Sequence, residues 1–432
     1  MNHLLLTSIY NEIDKITFTR KTYYYKAKLI CQALFNSIIN DDGNFNSPKE
    51  LPIGFFQSIV KRDGDLTPIL RELKNAEILI DTNYCTGTNT KNGIKTKNQH
   101  KAYCKSYSFS KQLIYNHPVS FSTFKGINKV DDRVKFKNMK KNLSLVKIDN
   151  EAYKYIPQLV EKQLEEIIIG KEITNKMIKM KINKEEIIKP LVYWLSYATR
   201  CNVALIKFND KFYLEGVKSF IERKRIELEI SYTYSIEQIE NGNFYAARNK
   251  TNNRLDTNFT QLKKELFQFV ILDGEKTEEI DIINAQFAIM SNIPTFKIDE
   301  NFRELAQKGQ LYEYLMEQLN MTRDQVKNYL IVVSFGEAKN HPKELKNLFP
   351  VTMQTISDFK NQYGYEKFSV ELQKGESNLM IDGVFSMLFK NKIPTISVHD
   401  SMRVKKSDYE RSKRMMEDFF NEKDFKCSLK NK

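Results

Sequence analysis

Apolar positions recur at helical spacing over Lys26–Asn40 and Pro48–Lys61, and a third short helix is predicted at Leu66–Asn75, after Asp63-Gly64-Asp65. Ile78-Leu79-Ile80 reads as a strand, Thr86–Asn98 as a loop rich in Gly, Asn, Thr and Lys, and Ala102–Phe109 as the returning strand. The apolar run Leu4-Leu5-Leu6 has no positive leader and no small-residue cleavage site, so Met1–Leu6 is expected to begin a helix rather than a signal peptide. Residues Asp131–Asn142 lack periodicity and carry many lysines, which predicts a linker or a backbone-tracking loop. From Tyr155 to about Asn241 the pattern is helical, with long Lys/Glu-rich stretches best read as solvated faces.

The last part of the chain changes character. Phe267–Leu272, a turn at Asp273-Gly274 and Thr277–Ile283 predict a hairpin. Helices are expected through Glu337, followed by a variable segment to about Tyr365. A further helix near Ser377–Phe389 leads into two short apolar runs that meet at His399-Asp400-Ser401. No internal repeat is visible. The reading is α+β in three parts: 1–130, a helical 131–245, and 246–432. Three helices and a basic β-ribbon at 1–130 resemble a winged helix. There Leu66–Asn75 would be the recognition helix, and Lys91, Lys95, Lys97 and Lys101 would lie on the wing. The plainer alternative is a small α+β domain with a solvated lysine loop.

The composition, 41% hydrophobic and 28% charged, is that of a globular protein, but the net charge of +14 favours a polyanionic partner. No apolar run approaches the ~20 residues of a membrane span, so nucleic acid is the expected partner rather than a membrane. Five scattered cysteines, with no CxxC pair, argue for a reducing, cytoplasmic compartment without a disulfide framework. Cys85, His100 and Cys104 lack a fourth ligand at useful spacing and make a poor zinc site.

Two strand-borne carboxylates, Asp281 and Asp400, are the candidate chemistry, because paired carboxylates can hold divalent metals. Between them Arg323, Lys327, Ile331 and Phe335-Gly336 fall four residues apart. Steps of four advance about 400° on a helix, so these side chains drift slowly around one face. Stacked cations at the start of such a helix suit a triphosphate, helped by the N-terminal dipole.

Asn253-Arg254-Leu255, then Asp281-Ile282-Ile283-Asn284-Ala285-Gln286, then the Arg323-to-Gly336 ladder, then Val398-His399-Asp400 follow in one order. In that order they resemble the palm and fingers motifs of family A DNA polymerases and the related single-subunit, phage-type RNA polymerases. The likeness covers about Asn241 to Val404. It implies a right-hand polymerase, with palm and fingers at 246–432 and a thumb-like middle. Asp281 and Asp400 would be catalytic and, with the Ile282 carbonyl, would ligate two magnesium ions, with manganese as a substitute. Arg323 and Lys327 would grip phosphates, and Ile331, Phe335 and Gly336 would meet base and sugar. Gln286 would read the sugar, and Arg254, Gln373 and His399 would touch primer or template, with Glu376 beside them. The implied partners are a DNA template, a primer and nucleoside triphosphates, in the replication of a phage or another mobile element in a bacterial or phage-infected cell.

Four departures bear on sugar choice. Gln286 stands where the DNA enzymes carry a glutamate, Phe335 lacks the hydroxyl of the family tyrosine, Ile331 replaces a phenylalanine or methionine, and Ser401 follows Asp400 as in the RNA enzymes. The short span from Lys327 to Asp400 favours DNA synthesis. An RNA polymerase or primase is the alternative within enzymes, and a non-catalytic DNA-binding replication initiator is the alternative outside them.

Overall fold

The computed structural model describes residues 2–430 except 42, 44, 46–48, 53, 54, 57–59, 61, 62, 87–102, 126–136 and 180–209. The chain is mixed helix and sheet and divides into two compact units. One is Met1–Asp131 with Asn150–Asn243, and the other is Asp132–Asp149 with Phe244–Lys432. Among the described residues no helix is long and apolar enough to cross a membrane.

In the first unit β1 is Asn2–Leu6, β2 Lys49–Pro52, β3 Leu79–Thr86, β4 Tyr103–Phe109 and β5 Phe121–Lys125. Where a helix is expected to begin at Met1–Leu6, the described residues Asn2–Leu6 form β1, paired antiparallel with β5. Leu4, Leu5 and Leu6 are all buried, so successive side chains on opposite faces find core, which a strand can satisfy and one helix face cannot. The expected helix at Pro48–Lys61 is corrected over its first residues. Lys49–Pro52 pairs with β4 at a sheet edge, Leu51 fills the core, and Pro52 sits where its missing N–H is tolerated. The sheet order is β2-β4-β3, with helices Lys21–Asp41 and Asp63–Asn75 beside it. The lysines at 91, 95, 97 and 101, and His100, lie outside the described residues.

Helices Glu151–Lys179 and Asp210–Glu240 run antiparallel, with Arg225 Nε 2.8 Å from Glu161 Oε1. They belong to this unit: Ile230 and Tyr234 enter the N-terminal core, and the Tyr234 ring lies 5.1 Å from Phe35 and 5.3 Å from Phe121.

The second unit is built on a five-stranded sheet. Its strands are β6 (Val146–Ile148), β9 (Val270–Leu272), β10 (Glu275–Asp281), β11 (Thr395–Val398) and β12 (Ser401–Lys405), and β7 (Ala246–Arg248) and β8 (Leu255–Thr257) form a separate hairpin. The order β11-β12-β10-β9-β6 is antiparallel throughout. Asp273 (φ 50°) and Gly274 (φ 84°) both take the positive φ that a tight β9–β10 turn requires. The expected linker Asp131–Asn142 is corrected within the described residues: Lys137–Leu143 is a helix. Met139 and Leu143 are buried, and Asn142 Nδ2 donates to the Thr395 carbonyl at 2.9 Å, so this short segment closes one edge of the sheet.

Across β10 and β12, Ile280, Met402 and Val404 are fully buried on one face. By the same alternation Glu279 and Asp281 share the other face with their cross-strand partners Arg403 and Ser401. Helices from Ala285 to Ser377 gather round Phe302, Phe349, Leu315, Val326 and Leu330. The stretch to about Tyr365 read as variable is helical, at Lys343–Leu348 and Pro350–Tyr363. Helix Tyr365–Ser377 then continues through a π-helical stretch, Asn378–Phe385, into Ser386–Lys390.

Candidate active site

The polar face of β10 and β12 ends in carboxylates. Asp281 is the last residue of β10 and stands opposite Ser401, while Asp400 occupies the β11–β12 turn. His399, beside it, holds φ at 53°, a left-handed conformation that makes the turn tight. Burial raises the Asp281 carboxyl to about 7, and the charges of Asp400 and Glu279 add to the rise while Lys430 and Lys264 oppose it. Asp400 is also raised by burial, partly offset by its own backbone N–H and by Arg254. Oδ1 of Asp281 is buried without a hydrogen-bond partner. Two desolvated carboxylates and an orphaned oxygen make a site that a cation would stabilise.

A backbone acceptor lies beside them. The C-terminal segment pairs with this strand through Ile283 N–H to the Ser428 carbonyl and Lys430 N–H to the Asp281 carbonyl, each 2.9 Å. Ile282 lies between these bonds, so its own carbonyl takes no part in that pairing. Among the described residues no group of three or more His, Cys, Asp or Glu side chains is arranged to hold a metal ion. Two carboxylates and one carbonyl suit magnesium, which keeps waters and takes its remaining ligands from substrate phosphates.

Arg254 and Glu376 pair close enough to the turn for their charges to act on it. Arg254 Nη2 lies 2.7 Å from Glu376 Oε2, and Glu376 is 2% exposed. Arg254 also bears on Asp400 and on His399, whose ring is pushed towards its neutral form by desolvation first and by Arg254 second. The β7–β8 hairpin that carries Arg254 is tied to the following helix. Arg248 pairs with Asp382 and donates to Ser377 Oγ at 2.9 Å, and Asn252 Nδ2 donates to Gln373 Oε1 at 3.0 Å.

The ladder forms helix Arg323–Phe335, opened by a capping box in which Thr322 and Gln325 each bond the other's backbone N–H. Arg323, Lys327, Ile331 and Phe335 are all exposed, while Val326, Leu330 and Val333 are buried on the adjacent face. Among the described residues Ile331 (43%) and Phe335 (41%) are two of the few large apolar side chains left open to solvent, on the same face as the two cations. A Cβ on Gly336 would sit 2.7 Å from the Val332 carbonyl oxygen, so the helix ends on glycine by steric need. Arg323 is held by Glu313 at 2.7 Å and lies over the Tyr312 ring.

The structure therefore gathers Asp281, Asp400, Ile282, Arg254 and His399 at one sheet end, with Gln373 tied to the loop before Arg254 through Asn252. The ladder forms its own surface, and Gln286 sits half-buried on helix Ala285–Ser291 beside the strand that bears Asp281. Glu279 and Arg403 are site residues that sequence reasoning missed. Ser401 Oγ donates to Glu279 at 2.8 Å, and the Arg403 guanidinium lies 3.4 Å from Glu279 and over Phe267 at 4.5 Å. Their signal was strand alternation, since Glu279 is two residues before Asp281. A separate cleft of about 690 Å³ is lined by Asn292, Asn378, Lys390, Phe419 and Lys423 among others, and by none of these site residues. Compared with known proteins, the chain matches no family model and no curated protein.

Proposed function

We propose that this chain is a template-directed nucleotidyltransferase, a compact DNA polymerase of a phage or other mobile element, whose residues 246–432 act as palm and fingers. The observation that carries the reading is the β10–β12 register, which sets Asp281 opposite Ser401 and so next to Asp400, with a buried Asp281 carboxylate oxygen left without a hydrogen-bond partner. Asp281, Asp400 and the Ile282 carbonyl would hold magnesium, which when bound lowers the pKa of a primer 3′-hydroxyl and offsets charge on the transferring phosphorus. The residues of the chain do the positioning. Arg254, held by Glu376, places a positive charge beside Asp400. The exposed stripe offers Arg323 and Lys327 to the phosphates, and Ile331 and Phe335 to base and sugar. The first unit supports a DNA-binding role through its winged-helix-like order: helix, strand β2, helix Asp63–Asn75 and hairpin β3–β4, with β4 central. The setting would be the cytoplasm of a bacterial or phage-infected cell.

The test is primer extension on a singly primed DNA template with magnesium, with dNTPs and NTPs supplied separately. Extension by the wild type that is lost in Asp400→Asn supports the reading, and the preferred nucleotide decides between the DNA and RNA versions. Tight DNA binding without extension by either set would favour a non-catalytic initiator.

A further inference from the structure

Lys360 is a lysine in the wrong place for a lysine. It lies on helix Pro350–Tyr363 and is 4% exposed, among apolar neighbours that include the Phe368 ring, 5.2 Å from its Nζ. Its ammonium has three hydrogens, and each has an acceptor: the Val333 carbonyl at 2.5 Å, the Gly336 carbonyl at 2.7 Å and His341 Nε2 at 3.0 Å. The first two are carbonyls at the end of the ladder helix, where the backbone runs out of its own donors and the helix dipole is negative. His341 is buried and held neutral, its pKa lowered to about 4 by burial and by the charges of Lys360 and Lys346. With Nε2 accepting from Lys360, Nδ1 carries the ring proton and faces Ser357 Oγ at 3.3 Å, and that hydroxyl donates to the Met353 carbonyl at 2.7 Å. Every polar group in the chain of contacts is thus used.

We infer that Lys360 is a positioning residue for nucleotide binding: by clamping the carbonyls of Val333 and Gly336 it fixes the end of the ladder helix and, with it, the exposed Phe335. The inference rests on the polymerase reading for its consequence, although the clamp itself does not. Phe335 lies between the two clamped carbonyls, so its backbone cannot fray without breaking one of them. A surface lysine would serve a helix end weakly. A buried one, with no water to compete, serves it well but carries a desolvation cost, which lowers the Lys360 pKa to about 8. Its proton is therefore lost just above neutral pH, and a neutral amine keeps only two of the three donors. The charged and titratable groups bearing on the cluster are His341 and Lys346; the neighbouring Lys339 and Glu337 pair with each other at the surface.

The experiment has two arms. In the first, nucleotide KM and kcat are measured against pH for the wild type and Lys360→Met. The variant should raise KM about tenfold at pH 7, the worth of one charge-assisted hydrogen bond, with kcat changed less. The wild-type KM should climb as pH passes about 8 and the variant's should not. Unchanged KM and an unchanged profile in a folded variant would overturn the inference. In the second arm, hydrogen exchange of backbone amides over 331–340 is compared at pH 7 and pH 9 in the wild type, with helix Glu300–Gln307 as internal reference. Protection lost selectively at 331–340 supports the clamp, and equal protection at both pH values overturns it. This arm needs neither a variant nor turnover. A wild type that extends no primer but shows the selective loss would sink the polymerase reading and leave the clamp standing.

Discussion

Asp281 lies directly opposite Ser401 in the β10–β12 register, one residue from Asp400, and its carboxyl is raised to about 7. The consequence for stability has a definite sign. Between an unfolded value near 4 and a folded value near 7, the native state keeps a proton that the unfolded chain has lost, so this group's contribution to stability declines as pH rises through that window. Asp281→Asn should therefore melt higher than the wild type at pH 8 without divalent metal, by about 3 °C or more, and the gap should close towards pH 4. Magnesium should raise the wild-type melting temperature at pH 8 and chelator should reverse it, with no such response in Asp281→Asn. Thermal melts across pH, with and without metal, decide the matter. A variant that melts lower than the wild type at pH 8 would show that the carboxylate is stabilised by something other than a cation.

The Arg254–Glu376 pair makes a separate demand, because Glu376 is almost fully buried. Removing the arginine leaves a buried charge, so Arg254→Ala should cost about 3–5 kcal/mol in urea unfolding. Adding Glu376→Gln should recover part of that loss, since the stranded charge goes with it. Equal stability of the single and double variants would mean that Glu376 finds another partner or is already protonated.

The ladder residues should separate binding from folding. Lys327 and Phe335 are exposed, so alanine at either should change stability by no more than about 0.5 kcal/mol. Under the polymerase reading each should still raise nucleotide KM about tenfold and leave primer-template affinity unchanged. Leu330→Ala, one residue off that face and buried, should behave in the opposite sense, costing about 2–5 kcal/mol. Steady-state kinetics beside denaturant melts would show whether the two faces part in this way.

How far the sequence speaks follows from length and period. The Asp281 hairpin, the Asp400 turn and the two faces of helix Arg323–Phe335 were legible because alternation and four-residue spacing persist over enough positions to be seen. β2 has four residues, and its Leu51 fits a helical pattern as easily as a strand; only the partner β4 decides it. Strand Asn2–Leu6 escapes the sequence because the unbroken apolar run Leu4-Leu5-Leu6 carries no period of its own. Lys360 was invisible for another reason. A lysine is taken for a surface residue, and nothing local signals that two carbonyls from a different helix await it. Glu279 was within reach, two residues before Asp281, but its partners Ser401 and Arg403 come from a strand more than a hundred residues on.

Helix Lys137–Leu143 offers the sharpest contrast between a linker and a structural element. In a linker Met139 would face solvent, and its replacement would change stability by no more than about 0.5 kcal/mol. In the structure Met139 is fully buried, and the same short segment places Asn142 against the Thr395 carbonyl and leads into β6, the edge strand that pairs with β9. Met139→Ala should therefore cost about 2–5 kcal/mol, the range for emptying a core site. Asn142→Ala should cost less, about 1–3 kcal/mol, through the buried Thr395 carbonyl left without its donor. Because Thr395 begins β11, three residues before the strand reaches Val398 and the Asp400 turn, the Asn142 variant should also loosen that turn. Hydrogen exchange over 395–402 would report it directly: faster exchange there in Asn142→Ala fits an edge that helps to hold the carboxylate in place, and unchanged exchange would confine the segment's role to packing.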